Sequence, residues 1–261
     1  MSRYDNADRG SGGGHRLMMS LLFLLLAIVA ITAATVAWFS IADRGRVDTM
    51  DMDITSGPSM RFDLNAHADF NDYVITLNFA QIADRIRAEQ GFDLRNTPLE
   101  PVTTNDAQRF TFEDGSTVSS KSGAYLEFRL HFMSLVDMDV HLTAENGKDG
   151  AEGTKIQSRN QKVVNAMRIS FTADGQTAIY DPGMGAGTRG GAVRTFGLPA
   201  GGGTNTAASR LFALKAETDK EVTVRVWLEG TDENCNSDIK GADYQISLRF
   251  VGVNKDGEVV D

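Results

Sequence analysis

The stretch Tyr125-Leu126-Glu127-Phe128-Arg129-Leu130-His131-Phe132 decides the fold. Successive side chains of a strand point to opposite faces, so Leu126, Phe128, Leu130 and Phe132 share one apolar face, while Tyr125, Glu127, Arg129 and His131 share a mainly polar one. The same two-residue period recurs outward along the chain. It is carried by Val136, Met138, Val140 and Leu142, by Met167, Ile169, Phe171 and Ala173, and by Val222, Val224, Val226 and Leu228. Near the end it returns in Tyr244, Ile246, Leu248 and Phe250. Shorter candidates lie at Met50–Ile54, Met60–Leu64, Tyr73–Phe79, Arg109–Phe112, Thr177–Tyr180 and Leu211–Lys215. Helical spacing is confined to Phe79, Ile82, Ala83 and Ile86 ahead of Gly91, and to Ser158–Asn165. Clean alternation predicts strands with one face on a core and the other in solvent. The expected class is all-β: an antiparallel β-sandwich of jelly-roll type with long insertions, preceded by one hydrophobic helix.

That helix is written at the N-terminus. Residues 1–16 are polar, glycine-rich and contain Arg3, Arg9 and Arg16, whereas no charge occurs from Leu17 to Ala42. About 20 apolar residues suffice to cross a bilayer core as a helix, which satisfies its own backbone bonds. The arginines favour an N-terminus on the cytoplasmic side and an exported C-terminus. Thr35-Val36-Ala37 places small residues where signal peptidase needs them, so cleavage between Ala37 and Trp38 is one expectation and a retained anchor over 17–42 is the other. Gly14 is followed five residues later by Met19 rather than glutamate, which sets the chain apart from type IV pilins. The expected organisation is a cytoplasmic n-region (1–16), a signal or transmembrane helix (17–42) and an extracellular β-domain (43–261) with a glycine-rich flexible loop at 183–203.

With a net charge of −9, the chain repels phosphate backbones, so nucleic acid is not an expected partner. Cys235 is the single cysteine, and no internal disulfide can hold the fold. The run Gly185-Ala186-Gly187-Thr188-Arg189-Gly190-Gly191 lacks the lysine and hydroxyl ending of a phosphate loop, so no nucleotide is expected. His15, His67, His131 and His141 form no His-Glu-x-x-His pair, and no Gly-x-Ser-x-Gly elbow occurs. His131, Asp139 and His141 fall on polar strand faces and could meet across neighbouring strands as metal ligands, or be ordinary solvated positions. Asp232, Asn234, Asn236 and Asp238 repeat every second residue, a spacing with which oxygen ligands wrap Ca²⁺. Ser237 stands where an EF-hand loop needs glycine, and a solvated hairpin loop is the alternative. No other cofactor is expected, and no catalytic constellation is present, so the chain is not read as an enzyme. A hydrolase would need Asp139, His141 or other acids to cluster in a cleft.

The junction Thr35-Val36-Ala37-Trp38-Phe39-Ser40, followed by Met50-Asp51-Met52-Asp53-Ile54, resembles the export junction of TasA/camelysin-type proteins of Firmicutes. The stretches Val222–Glu229 and Gly241–Phe250, with the acidic loop around Cys235 between them, are similar to the same group. Residues 80–210 carry no such likeness. The resemblance implies a jelly-roll subunit of extracellular matrix fibres in which the first mature segment can complete a neighbour's sheet by donor-strand addition. Val47, Met50, Met52 and Ile54 would be that strand, or else the ordinary first strand of their own sandwich. The metalloprotease label of camelysin-type proteins finds no histidine motif here. The expected role is a cell-surface or matrix structural protein capable of self-assembly, with the membrane met through residues 17–42. The alternative is a membrane-anchored adhesin or ligand-binding ectodomain.

Overall fold

The structure, a computed structural model, describes residues 18–27, 46–54, 59–143, 153–185, 187–189, 193–198, 209–239 and 241–260. The chain divides into two compact units, residues 1–42 and 43–261. In the first, residues 18–27 are helical (α1), with exposed apolar side chains that include Leu21, Leu22 and Phe23. Among the described residues no helix is long and apolar enough to cross a membrane. The rest of the charge-free run, with the Ala37–Trp38 junction, lies outside the described residues.

The second unit is built from strands. In order they are β1 (Arg46–Ile54), β2 (Met60–Asp63), β3 (Thr76–Leu77), β4 (Leu126–Ser134), β5 (Met138–Leu142), β6 (Lys155–Ser158), β7 (Met167–Ala173), β8 (Gln176–Tyr180), β9 (Gly187–Arg189), β10 (Arg194–Gly197), β11 (Arg210–Leu214), β12 (Lys220–Leu228) and β13 (Asp243–Val253). Two helices interrupt them, α2 (Phe79–Gln90) and α3 (Gln161–Ala166). Helix α2 starts because the Asn78 side chain accepts from Gln81 N–H while Gln81 Oε1 accepts from Asn78 N–H, a capping box. It stops at Gly91, whose φ of 84° is the left-handed conformation that glycine adopts without penalty.

The strands form two sheets. One runs β11-β5-β13-β1-β3, with β6 also paired to β13, and the other runs β2-β4-β12-β7-β8-β10-β9. β13 is the spine of the first, because one of its edges is shared by β6 at Tyr244–Ser247 and by β5 at Phe250–Val253. Thr154 bridges the changeover: its Oγ1 accepts from Arg249 N–H at 3.1 Å, and its own N–H donates to Thr143 Oγ1 at 2.8 Å. The sheets face each other across one core. Phe250 of β13 meets Phe62, Phe132 and Phe171 of the opposite sheet at ring-centroid distances of 5.8, 5.3 and 5.9 Å, all edge-on. Burying each such ring stabilises by roughly 1.5–3 kcal/mol. Every residue of the apolar face of the founding stretch, from Leu126 to Phe132, is fully buried.

Three expectations need correction. The sheets are not purely antiparallel: β1 runs parallel to β13, and β10 runs parallel to β8. β1 and β13 come from opposite ends of the domain, so no tight hairpin dictates their direction. The glycine-rich stretch 183–203 is not all loop, since it contributes β9 and β10 at the margin of the seven-stranded sheet. Finally, the outer face of that sheet is not simply solvated. Arg168 and Ser170 of β7 are buried with the apolar residues between them. The cause is the insertion that precedes β4, which lays Val102, Ala107, Phe110, Val118, Ala124 and Tyr125 over Trp227 as a second, smaller core. Phe110 stacks on Tyr125 at 4.2 Å and stands edge-on to Trp227 at 5.3 Å. The insertion is pinned where Val102 N–H donates to Leu228 O and Gly230 N–H donates to Val102 O.

Candidate functional site

β7 and β12 pair so that Arg168 and Trp227 stand opposite each other, and the alternation that puts Met167, Ile169 and Leu228 in the main core turns this pair outward. Ile179 of β8 and Thr195 of β10 lie on the same outer face, themselves paired in register. The turn Asp174-Gly175 (φ 51° and 73°) closes the β7–β8 hairpin with the left-handed pair that a two-residue connection favours. Beyond the strands, the loop Glu229–Asn234, the α3 end at Asn165 and the turn at Asp181–Gly183 rise around this patch. Together they enclose a cleft of about 460 Å³.

Arg168 is its organising charge. Nη2 donates to Asp232 Oδ2 at 2.6 Å, Nη1 lies 3.2 Å from Asp181 Oδ1, and Nη1 also donates to the carbonyls of Asn165 and Met167 at 2.6 and 2.7 Å. A buried guanidinium without such partners would cost several kcal/mol, so the two carboxylates and two carbonyls are what permit it here. Asp181 also accepts from Gly183 N–H at 3.0 Å, and Asp232 accepts from Asn234 N–H and Nδ2 at 2.9 Å each. Burial raises the pKa of Asp232, but the hydrogen bonds from Asn234 and the Arg168 charge outweigh it and hold the carboxyl below the usual range. Glu229 is fixed by Trp227 Nε1 at 3.0 Å and by Thr231 Oγ1 at 2.7 Å.

Asp232 is therefore an ionised acceptor fixed in the wall of the cleft. The cleft lining contains neither histidine nor cysteine. A carboxyl held low is a hydrogen-bond acceptor at neutral pH and no proton donor, so the arrangement suits recognition of a ligand's hydroxyl or N–H groups.

The residues expected to bind calcium partly belong to this cleft. Asp232 and Asn234 line it, whereas Asn236 accepts from Asp238 N–H at 3.1 Å and Asp238 pairs with Lys162 on α3. Asp232 is committed to Arg168 and Asn234. Among the described residues no group of three or more His, Cys, Asp or Glu side chains is gathered so as to hold a metal ion. His131 and His141 do not meet. β4 and β5 are consecutive but belong to different sheets, and the chain crosses between them at the exposed Leu135 and Val136. His131 Nδ1 sits 2.9 Å from Asp219 Oδ2, His141 Nδ1 sits 3.1 Å from Ser209 Oγ, and Asp139 pairs with Arg210 at 2.9 Å.

The candidate donor residues are all in β1. Val47, Met50, Met52 and Ile54 pair in register with Tyr244, Ile246, Leu248 and Phe250 of β13, and Met50 is fully buried in the main core. No protein-family model matches the chain, and neither the curated proteins nor the solved structures give a match to it.

The sequence did not flag Arg168, Asp181 or Glu229. One signal was present: Arg168 shares the outer face of β7 with Ser170 and faces Trp227 across the sheet, and an arginine so placed needs acids nearby.

Proposed function

We propose that this chain is an exported cell-surface or extracellular-matrix structural subunit, with a jelly-roll type sandwich as its mature body and its first strand as an assembly element. The observation that carries the reading is β1. It lies along β13 from Arg46↔Asp243 to Ile54↔Phe250, delivers Met50 to the core, and is the first strand after the charge-free run. A strand at the start of a domain, paired along its length with β13 and otherwise only at Met52 and Asp53 with the two-residue β3, can be exchanged for the same strand of a neighbour, with the same backbone bonds. The charge-free run supports export, and the resemblance of the junction at Ala37-Trp38 supports the fibre context.

Paired cysteines test the strand exchange. In a Cys235→Ser background, Met50→Cys and Ile246→Cys variants are made separately and mixed under oxidising assembly conditions. Neighbouring strand positions fall within disulfide reach. A crosslinked heterodimer appearing only in the mixture supports donation between copies. If the mixture stays monomeric while the double variant closes on itself, the strand serves only its own sandwich and the assembly reading falls. N-terminal sequencing of protein from the cell surface tests export, and a start at Trp38 is expected.

A second reading, a ligand-binding ectodomain, is favoured by one observation: the preorganised cleft over Arg168.

A further inference from the structure

Exposed large apolar side chains of the second unit lie at one end of its strands. Among the described residues they are Ile75, Leu135, Val136 and Val259, exposed by 52, 46, 43 and 42%. β1 and β13 run parallel and reach this end at Ile54↔Phe250. Beyond Phe250 the chain folds back, so that Val259 bridges Val253 and Val260 N–H donates to Gly252 O. β5, antiparallel to β13, starts here with Asp139 opposite Val253, which places Leu135 and Val136 just before it. Ile75 precedes Thr76, the partner of Asp53 in β1. Single exposed apolar residues are ordinary, whereas a set confined to one end marks a contact surface.

Chain length says what meets that surface. Only Thr55-Ser56-Gly57-Pro58 separate Ile54 from Ser59, and five residue steps span at most about 18 Å. Ser59 is anchored at the same end, where its carbonyl accepts from Leu135 N–H at 2.9 Å and the next residue, Met60, pairs with Ser134. A copy of β1 seated on the β13 of a second chain ends at that chain's Phe250. Within 18 Å it must then return to Ser59 of its own chain, beside its own Leu135. Exchange therefore brings the apolar end of one copy to the apolar end of the other. A filament needs the donated strand to leave from one end and to be received at the opposite one, whereas here both events fall at a single end. Two copies that exchange can each satisfy the other, and no strand is left for a third. The rim does not oppose such a meeting with a field of one sign. Lys215 pairs with Asp137, and the turn between Val253 and Val259 carries Lys255 with Asp256 and Glu258.

We propose that two copies of this chain exchange β1 reciprocally into a closed two-fold dimer in which the ends carrying Ile75, Leu135, Val136 and Val259 cover each other. This rests on the strand-exchange reading and specifies its product, so that any larger assembly is built from pairs.

The test uses full-length protein in detergent, in the Cys235→Ser background. Val136→Cys is expected to give a homodimer with a short bis-maleimide. Glu233→Cys is expected to give none, because β12 starts at this end with Lys220 opposite Phe132 and Glu233 follows it at the other. Detergent-matched sedimentation should find two chains per particle. A Leu135→Glu/Val136→Glu double variant, altered only at exposed positions, should raise the dimer dissociation constant about tenfold or more with an unchanged circular dichroism spectrum. Crosslinking of mixed Met50→Cys and Ile246→Cys chains reports exchange separately. Exchange without the Val136→Cys link, or in particles larger than two chains, overturns the closed pair and leaves strand exchange standing. A Val136→Cys link without exchange shows ends that associate unaided and overturns the reciprocal step. Absence of both signals removes the dimer and the exchange together. A dimer of unchanged strength in the double variant shows that the apolar set stays uncovered and overturns the interface.

Discussion

Asp232 Oδ2 lies 2.6 Å from Arg168 Nη2 and ties the loop after β12 to the middle of the seven-stranded sheet, across 64 residues of sequence. Removing one partner of a buried pair leaves the other uncompensated, which costs more than the pair itself contributes. Arg168→Ala is expected to lower unfolding free energy by about 3 kcal/mol, because Asp181 and Asp232 both lose their counter-charge. Asp232→Asn, which keeps the shape and leaves Asp181 on the arginine, is expected to cost about 1–2 kcal/mol. The sign with pH follows from the lowered Asp232 pKa: its contribution is present above about pH 4 and is lost as pH falls through the folded-state value. Urea titrations of wild type and Asp232→Asn at neutral pH and in acid below the folded-state value should therefore converge at the acid end. A gap of equal size at both would refute the ion pair.

Gly197 and Gly252 look alike in sequence and differ in what a methyl group would meet. At Gly197, on β10, a Cβ would collide with the backbone carbonyl of Gly185, which cannot move without dislodging the β8–β9 connection. At Gly252, on β13, the obstacle is the sulfur of Met138, the far end of a flexible side chain. Gly197→Ala is expected to cost about 3 kcal/mol or more, and Gly252→Ala about 1 kcal/mol, by thermal denaturation. Met138→Ala should relieve Gly252→Ala in the double variant. An equal loss at the two glycines would show that the backbone at Gly185 yields as easily as the thioether.

What was legible in the sequence was whatever depends on local period. The apolar positions of β4, β12 and β13 are buried as their alternation required, and α2 carries its Asn78–Gln81 and Gly91 stop signals in the chain itself. What was not legible depends on contacts between distant segments. Period alone cannot tell that β4 and β5 part into different sheets, so it leaves a meeting of His131 and His141 open, whereas they lie apart in space. Nor does it tell that Val102, Phe110 and Tyr125 close over Trp227 and bury an outer face expected to be wet. The cleft escaped notice for the same reason. Arg168, Asp181 and Asp232 come from β7, the turn after β8 and the loop after β12, and nothing local makes three such residues a unit. Asp232 and Asn234 were singled out for calcium spacing, whereas in the fold that spacing serves a turn in which Asp232 accepts from Asn234 N–H.

Tyr73 offers an alkaline counterpart to Asp232. Its hydroxyl accepts from His67 N–H at 3.0 Å and donates to Asp219 at 2.7 Å, and Asp219 in turn meets His131. Burial and the neighbouring Asp219 charge disfavour the phenolate and together outweigh the His67 bond, which pushes the phenol up to about 12. With a folded value above the unfolded 10.0, its stabilisation is complete below pH 10 and is lost as pH rises through about 12. Tyr73→Phe is expected to cost about 1 kcal/mol at neutral pH and to flatten the alkaline fall in stability. A phenolate difference titration against Tyr73→Phe should assign to this residue a component that ionises only near 12. A component near 10 would contradict the arrangement.

The first strand gives the sharpest local test. Backbone groups on the β1-facing edge of β13 are satisfied by β1, and at Ile246 the neighbouring residue in register is the fully buried Met50. Met50→Asp puts a carboxylate into the main core with no cation given to it, a cost the domain can avoid by releasing the strand and leaving one edge of β13 open. The expected result is selective. Amide hydrogen exchange in the peptide covering Asp243–Phe250 should rise by about two orders of magnitude or more, because β13 loses its partner on that side, while β4, β7 and β12 keep their protection. Met50→Leu, which preserves volume and burial, should leave exchange near wild type. If Met50→Asp instead unfolds the whole domain in one step, β1 is an inseparable part of the core, and a strand that cannot leave its own sandwich cannot be given to another.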